Sequence, residues 1–175
     1  MTPPSDDTAQ SQGDLLWGVR DSFVRYIEVT GSIEASEPAS REEGNIMRFP
    51  GVQHDERVLR FSGAVSFRAH HGMLSLTIKD PWIESTDRSD VAATLTVLDV
   101  SQCEPAGIRV ILAEISHQGT VTLAPTGVAL FDFHYPAGTE LDPVVVSGGA
   151  RRTLSSDRQE LAESALSAAR TQTEK

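Results

Sequence analysis

The chain has 175 residues and a single cysteine, Cys103, so no intramolecular disulfide can staple it. With no CxxC and no Cys/His cluster, a zinc framework is excluded as well. Hydrophobic burial has to hold the fold. Positive charge is also short: 15 basic against 25 acidic residues give a formal charge of -10, the reverse of the footprint that neutralises phosphates, so nucleic acid is not an expected partner. No apolar run approaches the roughly 20 residues that span a bilayer. The start, MTPPSDDTAQSQGD, is polar and acidic, unlike a signal peptide; as written, the chain carries no export signal, and a cytoplasmic location is the expectation. GxSxG, HExxH, a P-loop and a GxGxxG after a strand are all missing, and the five histidines are scattered apart from His70-His71. No conventional hydrolase or nucleotide enzyme is indicated, and the chain reads as a non-enzyme.

What is present divides into three zones. Residues 1–13 are too poor in apolar side chains to offset the entropy of ordering them, which predicts a disordered leader. Residues 14–150 form the one domain that a chain of this length supports, and 151–175 form a tail. The domain opens on LLWGVRDSFVRYI, where helical spacing puts Leu16, Val19, Phe23 and Ile27 on one stripe, with Leu15, Ser22 and Tyr26 beside it. A helix over Leu15–Ile27 is predicted, with Asp14 as its N-cap and Gly31 beyond its end. Gly18 inside that pattern costs about 1 kcal/mol against Ala, so either the helix is weak there or something approaches its backbone closely.

After a polar stretch between Gly31 and Phe49, read as a loop or irregular crossover, the period changes to two. Val58, Arg60 and Ser62 alternate with Leu59, Phe61 and Gly63, and the pattern runs on through Val65 and Phe67. His70-His71-Gly72 makes a turn, and Leu74, Leu76 and Ile78 form the returning strand of a hairpin. Further strands are predicted over Ala92–Asp99, Ile108–Ser116, Thr120–Leu123, Val128–Phe133 and Pro143–Val146, separated by EPAG, SHQG, APTG, YPAGTELDP and SGGA. Many short strands at this spacing argue for a mainly β protein, an antiparallel sandwich or barrel-like domain with a short N-terminal helix. Ser156 and Gln159 fit a capping box, so a C-terminal helix over about Asp157–Arg170 is expected as an appendage without chemistry. Cys103 reads as a small buried apolar residue, Trp17 and Trp82 as core, and His54 and His117 as solvated imidazoles.

Three segments, LLWGVRDSFVRYI, VSFRAHHGMLSLTIKDPWIE and GVALFDFHYPAGTELDPV, occur in an order that resembles the HtaA-domain family of bacterial haem-uptake proteins. Its members share a helix of the form WGV(K/R)xSFxxYI, a strand pair reading VxFxGHxGxLxLxxxDPxV, and a closing GxYxAGxxLDPV. The resemblance runs over roughly Leu15 to Val146. It implies ferric haem, bound non-covalently, as cofactor and partner. The axial ligand to the metal would be the tyrosine of the helix motif, here Tyr26, hydrogen-bonded by a histidine at the turn of the strand pair. Aligning Phe67 and Gly72 with the motif puts His70 there, with Ala69 in place of the usual glycine and His71 as a second imidazole beside it. Ser22 and Tyr135 sit where family members contact the haem or its propionates.

A phenolate is a hard anionic oxygen donor suited to Fe(III), and a histidine N–H donated to it favours its charged form. Phe131, Phe133, Trp82 and Val19 are candidates to cover the ring, and Arg20, Arg25 or Arg68 to offset the propionates in an acidic protein. The absence of CxxCH excludes covalent attachment. The implied role is haem capture, transfer or buffering in iron acquisition, with other haem-binding or transport proteins as further partners. Family members are usually secreted or held at the cell surface, a departure from the signal-free start seen here. Two other classes stay open: a β-sandwich interaction module that keeps the fold without the cofactor, and a haem sensor or enzyme, for which no distal acid/base pair is visible.

Overall fold

A computed structural model describes residues 13–52, 54–100 and 107–147; the leader, Cys103 and the predicted C-terminal helix lie outside them. Strand β1 (Asp14–Trp17) leads into helix α1 (Asp21–Thr30), which passes directly into β2 (Gly31–Ser36). Short strands β3 (Ser40–Arg41), β4 (Met47–Phe49) and β5 (Val58–Arg60) precede the hairpin of β6 (Ala64–Ala69) and β7 (Leu74–Lys79). A meander follows through β8 (Trp82–Ser85), β9 (Ala93–Asp99), β10 (Ile108–Ile115) and β11 (Val121–Leu123), then β12 (Glu140–Leu141) and β13 (Val144–Ser147). The sheets are ordered β13-β1-β4-β3, β12-β11-β10-β9-β8-β5 and β2-β6-β7. Neighbouring strands are antiparallel throughout. The protein is mainly β, sandwich-like and not closed into a barrel.

One apolar cluster holds the sheets and the helix together. Trp17 from β1, Phe23 and Ile27 from α1, Phe67 from β6 and Phe131 are all buried in it. The alternation expected of half-buried strands is plain in β6, where Val65, Phe67 and Ala69 face inward and Arg68 faces out.

The predicted helix over Leu15–Ile27 is corrected in its first half. Leu15 and Trp17 point into the core from a strand paired on both sides, and Asp14 caps no helix but pairs with Arg48 at 2.6 Å. The break falls at Gly18-Val19. A Cβ on Gly18 would lie 2.7 Å from the Asp142 carboxylate, and the Asp142 backbone N–H bonds to the Val19 carbonyl at 2.9 Å. Val19 is thereby held at φ 62, a region β-branched residues avoid. The close approach foreseen at Gly18 is real, and it ends a strand instead of interrupting a helix. Arg20, with extended backbone, then serves as the N-cap of α1.

Three other expectations are corrected. The loop assigned between Gly31 and Phe49 contains β2, β3 and β4; β2 is an edge strand exposed on both faces, with only Ile33 half-buried, so it shows no clean period. The run from Val58 to Phe67 is two strands in different sheets, because the chain bends at Ser62-Gly63 and the Ser62 N–H turns to the Pro50 carbonyl. Val128–Phe133 is not a strand: a 3-10 helix covers Pro125–Phe131, with Pro125 in its first turn.

Candidate functional site

The end of α1 is anchored by one backbone approach. Gly31 pairs with Ala69 across the β2–β6 ladder, and a Cβ at Gly31 would lie 1.8 Å from the Arg68 carbonyl oxygen. Only glycine lets β2 close on β6 at that point. Because β2 follows α1 without a linker and His70 follows Ala69 without one, the last turns of the helix lie beside the hairpin turn. Tyr26 and His70 meet there: the phenol oxygen and His70 Nε2 are in hydrogen-bond contact across 44 residues of sequence, on an exposed surface. Their rings are tilted by 47° with centroids 5.7 Å apart. Tyr26 is 41% exposed, so its oxygen is not walled into the core.

The turn that carries His70 is strained. His70 and His71 have φ of 50 and 57, the left-handed region that non-glycine residues seldom occupy. His71 makes no hydrogen bond or ring contact among the described residues, so the imidazole that meets Tyr26 is that of His70. A cleft of about 420 Å³ lies at the turn, lined by Thr30, Ser32, Arg68, His70 and His71.

One turn before Tyr26, on the same helix face, stands Ser22. Its Oγ accepts a hydrogen bond from Arg20 Nε at 3.0 Å, while Arg20 Nη1 donates to the Glu140 carbonyl. The same guanidinium lies over the Tyr135 ring, 5.2 Å from its centroid. Tyr135 is half-buried and packs edge-on against Phe23 and Phe131. Ser22 and Tyr135 are thus brought together through Arg20, and Phe23 ties that group to the core beneath Tyr26.

The family model described as Htaa matches residues 12–147. The chain belongs to the HtaA family. Three solved structures from Corynebacterium glutamicum are similar to it. The haem-binding protein HtaB is 20% identical, with 77% of this chain and 90% of that one covered and a TM-score of 0.57. The C-terminal domain of HtaA is 22% identical, with 77% and 93% covered and a TM-score of 0.57. The N-terminal domain of HtaA is 26% identical, with 77% and 94% covered and a TM-score of 0.58. The chain has no significant match among curated proteins.

Of the four side chains proposed to cover a ring, this HtaA-family chain leaves one open. Val19 and Phe131 are fully buried. Trp82 is half-buried beneath the guanidinium groups of Arg109 and Arg60, at 3.7 and 5.0 Å, so it belongs to neither core nor site. Burial pushes the Arg109 pKa down from its ordinary value, partly offset by the charges of Glu84 and Asp80. Phe133 is 76% exposed and held at φ 60. Its neighbour Asp132 accepts the Ser75 backbone N–H at 3.1 Å, which fastens the Phe133 loop to the start of β7, just beyond the histidine turn. Met73, in that same turn, is 82% exposed.

Met73 and Asp132 escaped sequence reasoning. A methionine between a turn and a strand carries no signal, and an aspartate capping a distant strand is visible only in three dimensions. His54 is corrected as well: its Nδ1 accepts the Arg60 N–H at 3.1 Å and its ring packs on Phe61, so it bridges strands instead of standing in solvent. Among the described residues no helix is long and apolar enough to cross a membrane.

Proposed function

We propose that this chain binds ferric haem without covalent attachment, with the Tyr26 phenolate as axial ligand and His70 as its hydrogen-bonding partner. The role is carriage of haem in capture, transfer or buffering, not turnover. The observation that carries this reading is the contact of the Tyr26 oxygen with His70 Nε2 at an exposed surface. Family membership and the fold shared with a haem-binding protein support it.

The chemistry of the donor set fits the cargo. A phenol titrates near pH 10 in isolation, so Tyr26 must shed its proton to bind a metal ion, and a hard anionic oxygen is matched to the ferric charge. His70, protonated at Nε2, donates to that oxygen. The bond favours the phenolate and fixes the ring's direction, as hydrogen-bonding partners of metal ligands commonly do. His70 accomplishes this without itself ligating iron. Phe133 and Met73 offer apolar surface to a flat hydrophobic ligand, and Ser22 and Tyr135 offer hydroxyls to its polar edge. A single protein oxygen as anchor suits hand-over, because a competing site displaces one bond. Reduction to the ferrous state weakens that bond, since the phenolate prefers the higher charge.

The test is a titration of the full-length protein with hemin, followed by the growth of a Soret band, in wild type and Tyr26→Ala. A saturable band that is lost in the variant supports the reading. An equal band in both, or none in wild type, overturns it.

A further inference from the structure

A second cleft, of about 330 Å³, runs along the outward face of the β6–β7 hairpin. Arg68 of β6 and Ser75 of β7 are directly opposed in the ladder, and Thr77 follows on the same face of β7. Phe67 and Leu76 alternate with them and point inward, Phe67 onto Phe23 of α1. The cleft is therefore on the other side of the hairpin from the helix that carries Tyr26. Its far wall is Ala129 and Leu130 of the 3-10 helix, Asp132 just after it, and Asp99 at the end of β9. Its size falls within the range of about 300–1,000 Å³ in which proteins hold small molecules.

Opposite charges share this cleft without closing on each other. The Arg68 guanidinium has no ion pair and no side-chain hydrogen bond among the described residues. Asp132 is fixed where it stands: its backbone is turned to φ 49 at the end of the 3-10 helix, and one carboxylate oxygen accepts the Ser75 N–H at 3.1 Å. The other oxygen has no hydrogen-bond partner among the described residues. Because that N–H points off the free edge of β7, Asp132 is held at the edge while Arg68 stands one strand further in, beyond ion-pair distance. The Ser75 hydroxyl between them has no partner among the described residues either. A simple anion in the cleft meets the carboxylates of Asp99 and Asp132, and a simple cation meets the guanidinium. A molecule that carries both charges satisfies both sides.

We infer that this cleft is a second ligand site, for a free α-amino acid with an aliphatic side chain. Arg68 takes the carboxylate, for which its planar fork of N–H groups is matched. Asp132 takes the ammonium group through its unused oxygen, and Ala129 and Leu130 receive the side chain. No residue in these three roles belongs to the haem reading above, so the two stand or fall separately.

The experiment is a calorimetric titration of the haem-free full-length protein with leucine, with N-acetyl-leucine, which lacks the ammonium charge, and with leucinamide, which lacks the carboxylate. Wild type, Arg68→Ala and Asp132→Asn are compared, with thermal unfolding recorded for each. Wild type binds leucine at millimolar concentration or below, and either blocked form about tenfold more weakly, the worth of one charge-assisted contact. Arg68→Ala weakens leucine about tenfold and leaves leucinamide unchanged. Asp132→Asn, which keeps an oxygen for the Ser75 N–H, weakens leucine by a similar factor and leaves N-acetyl-leucine unchanged. No binding of leucine to wild type overturns the inference. So does N-acetyl-leucine binding as tightly as leucine, which makes the cleft a plain anion site, and so do equal losses for all three ligands in either variant. If Asp132→Asn fails to fold, the blocked ligands on wild type and the Arg68→Ala titrations still decide.

Discussion

Gly31 is paired with Ala69, and that single position in the β2–β6 register brings Tyr26 to His70. The helix ends where β2 begins, and the histidine turn begins where β6 ends. Any residue larger than glycine at position 31 collides with the Arg68 carbonyl and separates the two strands at the point where the phenol meets the imidazole. Gly31→Ala therefore destabilises the fold by about 1–3 kcal/mol, a fall of several degrees in the unfolding midpoint, and weakens hemin binding at a temperature where the variant is still folded. Calorimetry and a Soret titration measure the two effects. Unchanged values for both contradict this account of the strand register.

His70 and His71 are adjacent in sequence, yet only His70 reaches the phenol. His70→Ala is expected to lower hemin affinity by about 10–100-fold, the usual range for a hydrogen-bonding partner of a metal ligand. His71→Ala leaves it within about twofold, because no partner is lost. A reversed order in the two titrations would assign the role to His71.

Phe23 carries the load beneath the site. Its ring lies 5.5 Å from Phe67, 5.3 Å from Phe131 and 6.2 Å from Tyr135. Phe23→Ala removes the shared neighbour of all three and costs about 3–5 kcal/mol, read by denaturant unfolding. Phe133→Ala is the contrast: the side chain is exposed, so stability holds within about 0.5 kcal/mol while hemin affinity falls. Loss of stability without loss of binding in Phe133→Ala would remove it from the site.

The strands around β5 give the protein an acid-sensitive element. The Asp55 carboxylate accepts the Arg57 and Val58 backbone N–H groups at 2.9 and 2.8 Å and pairs with Arg60 at 2.8 Å. These contacts, the Arg57 amide foremost, hold its pKa below the usual carboxylate value. A carboxylate depressed in the folded state stabilises the protein above its unfolded pKa of about 4. That contribution is lost as pH falls through the folded value. Unfolding midpoints of wild type therefore drop more steeply than those of Asp55→Asn as pH is lowered from about 6 to about 3. Parallel curves contradict the assignment.

Much of this arrangement was legible in the chain itself. The β6–β7 hairpin shows a clear period-two pattern, because each of its strands has one buried and one more open face, and the turn at His70 and the strands through Leu123 are marked by the breakers between them. Tyr26, His70, Ser22 and Tyr135 emerged from the resemblance, and the structure sets the first pair in contact and the second pair on one arginine. The start of α1 was hidden because Leu16 and Val19 extend the helical stripe of Phe23 and Ile27 backwards, while the residue that breaks it, Asp142, is 124 positions from Gly18 (142 − 18). The 3-10 helix over Pro125–Phe131 was hidden because Val128, Ala129, Leu130 and Phe131 form a short continuous apolar run bounded by turn residues, which reads equally as a buried strand. Arg20 stood out only as a charge, since its neutral partners come from α1, β12 and the segment between them.

The most direct measurement is the resonance Raman spectrum of the ferric haem complex in wild type and in Tyr26→Phe, which keeps the ring and deletes one oxygen. Wild type should show iron–phenolate and phenolate ring modes on excitation in the ligand-to-metal charge-transfer band, and the variant should show none. The same phenolate modes in Tyr26→Phe, or a wild-type spectrum of histidine-ligated iron without them, would contradict ligation by Tyr26.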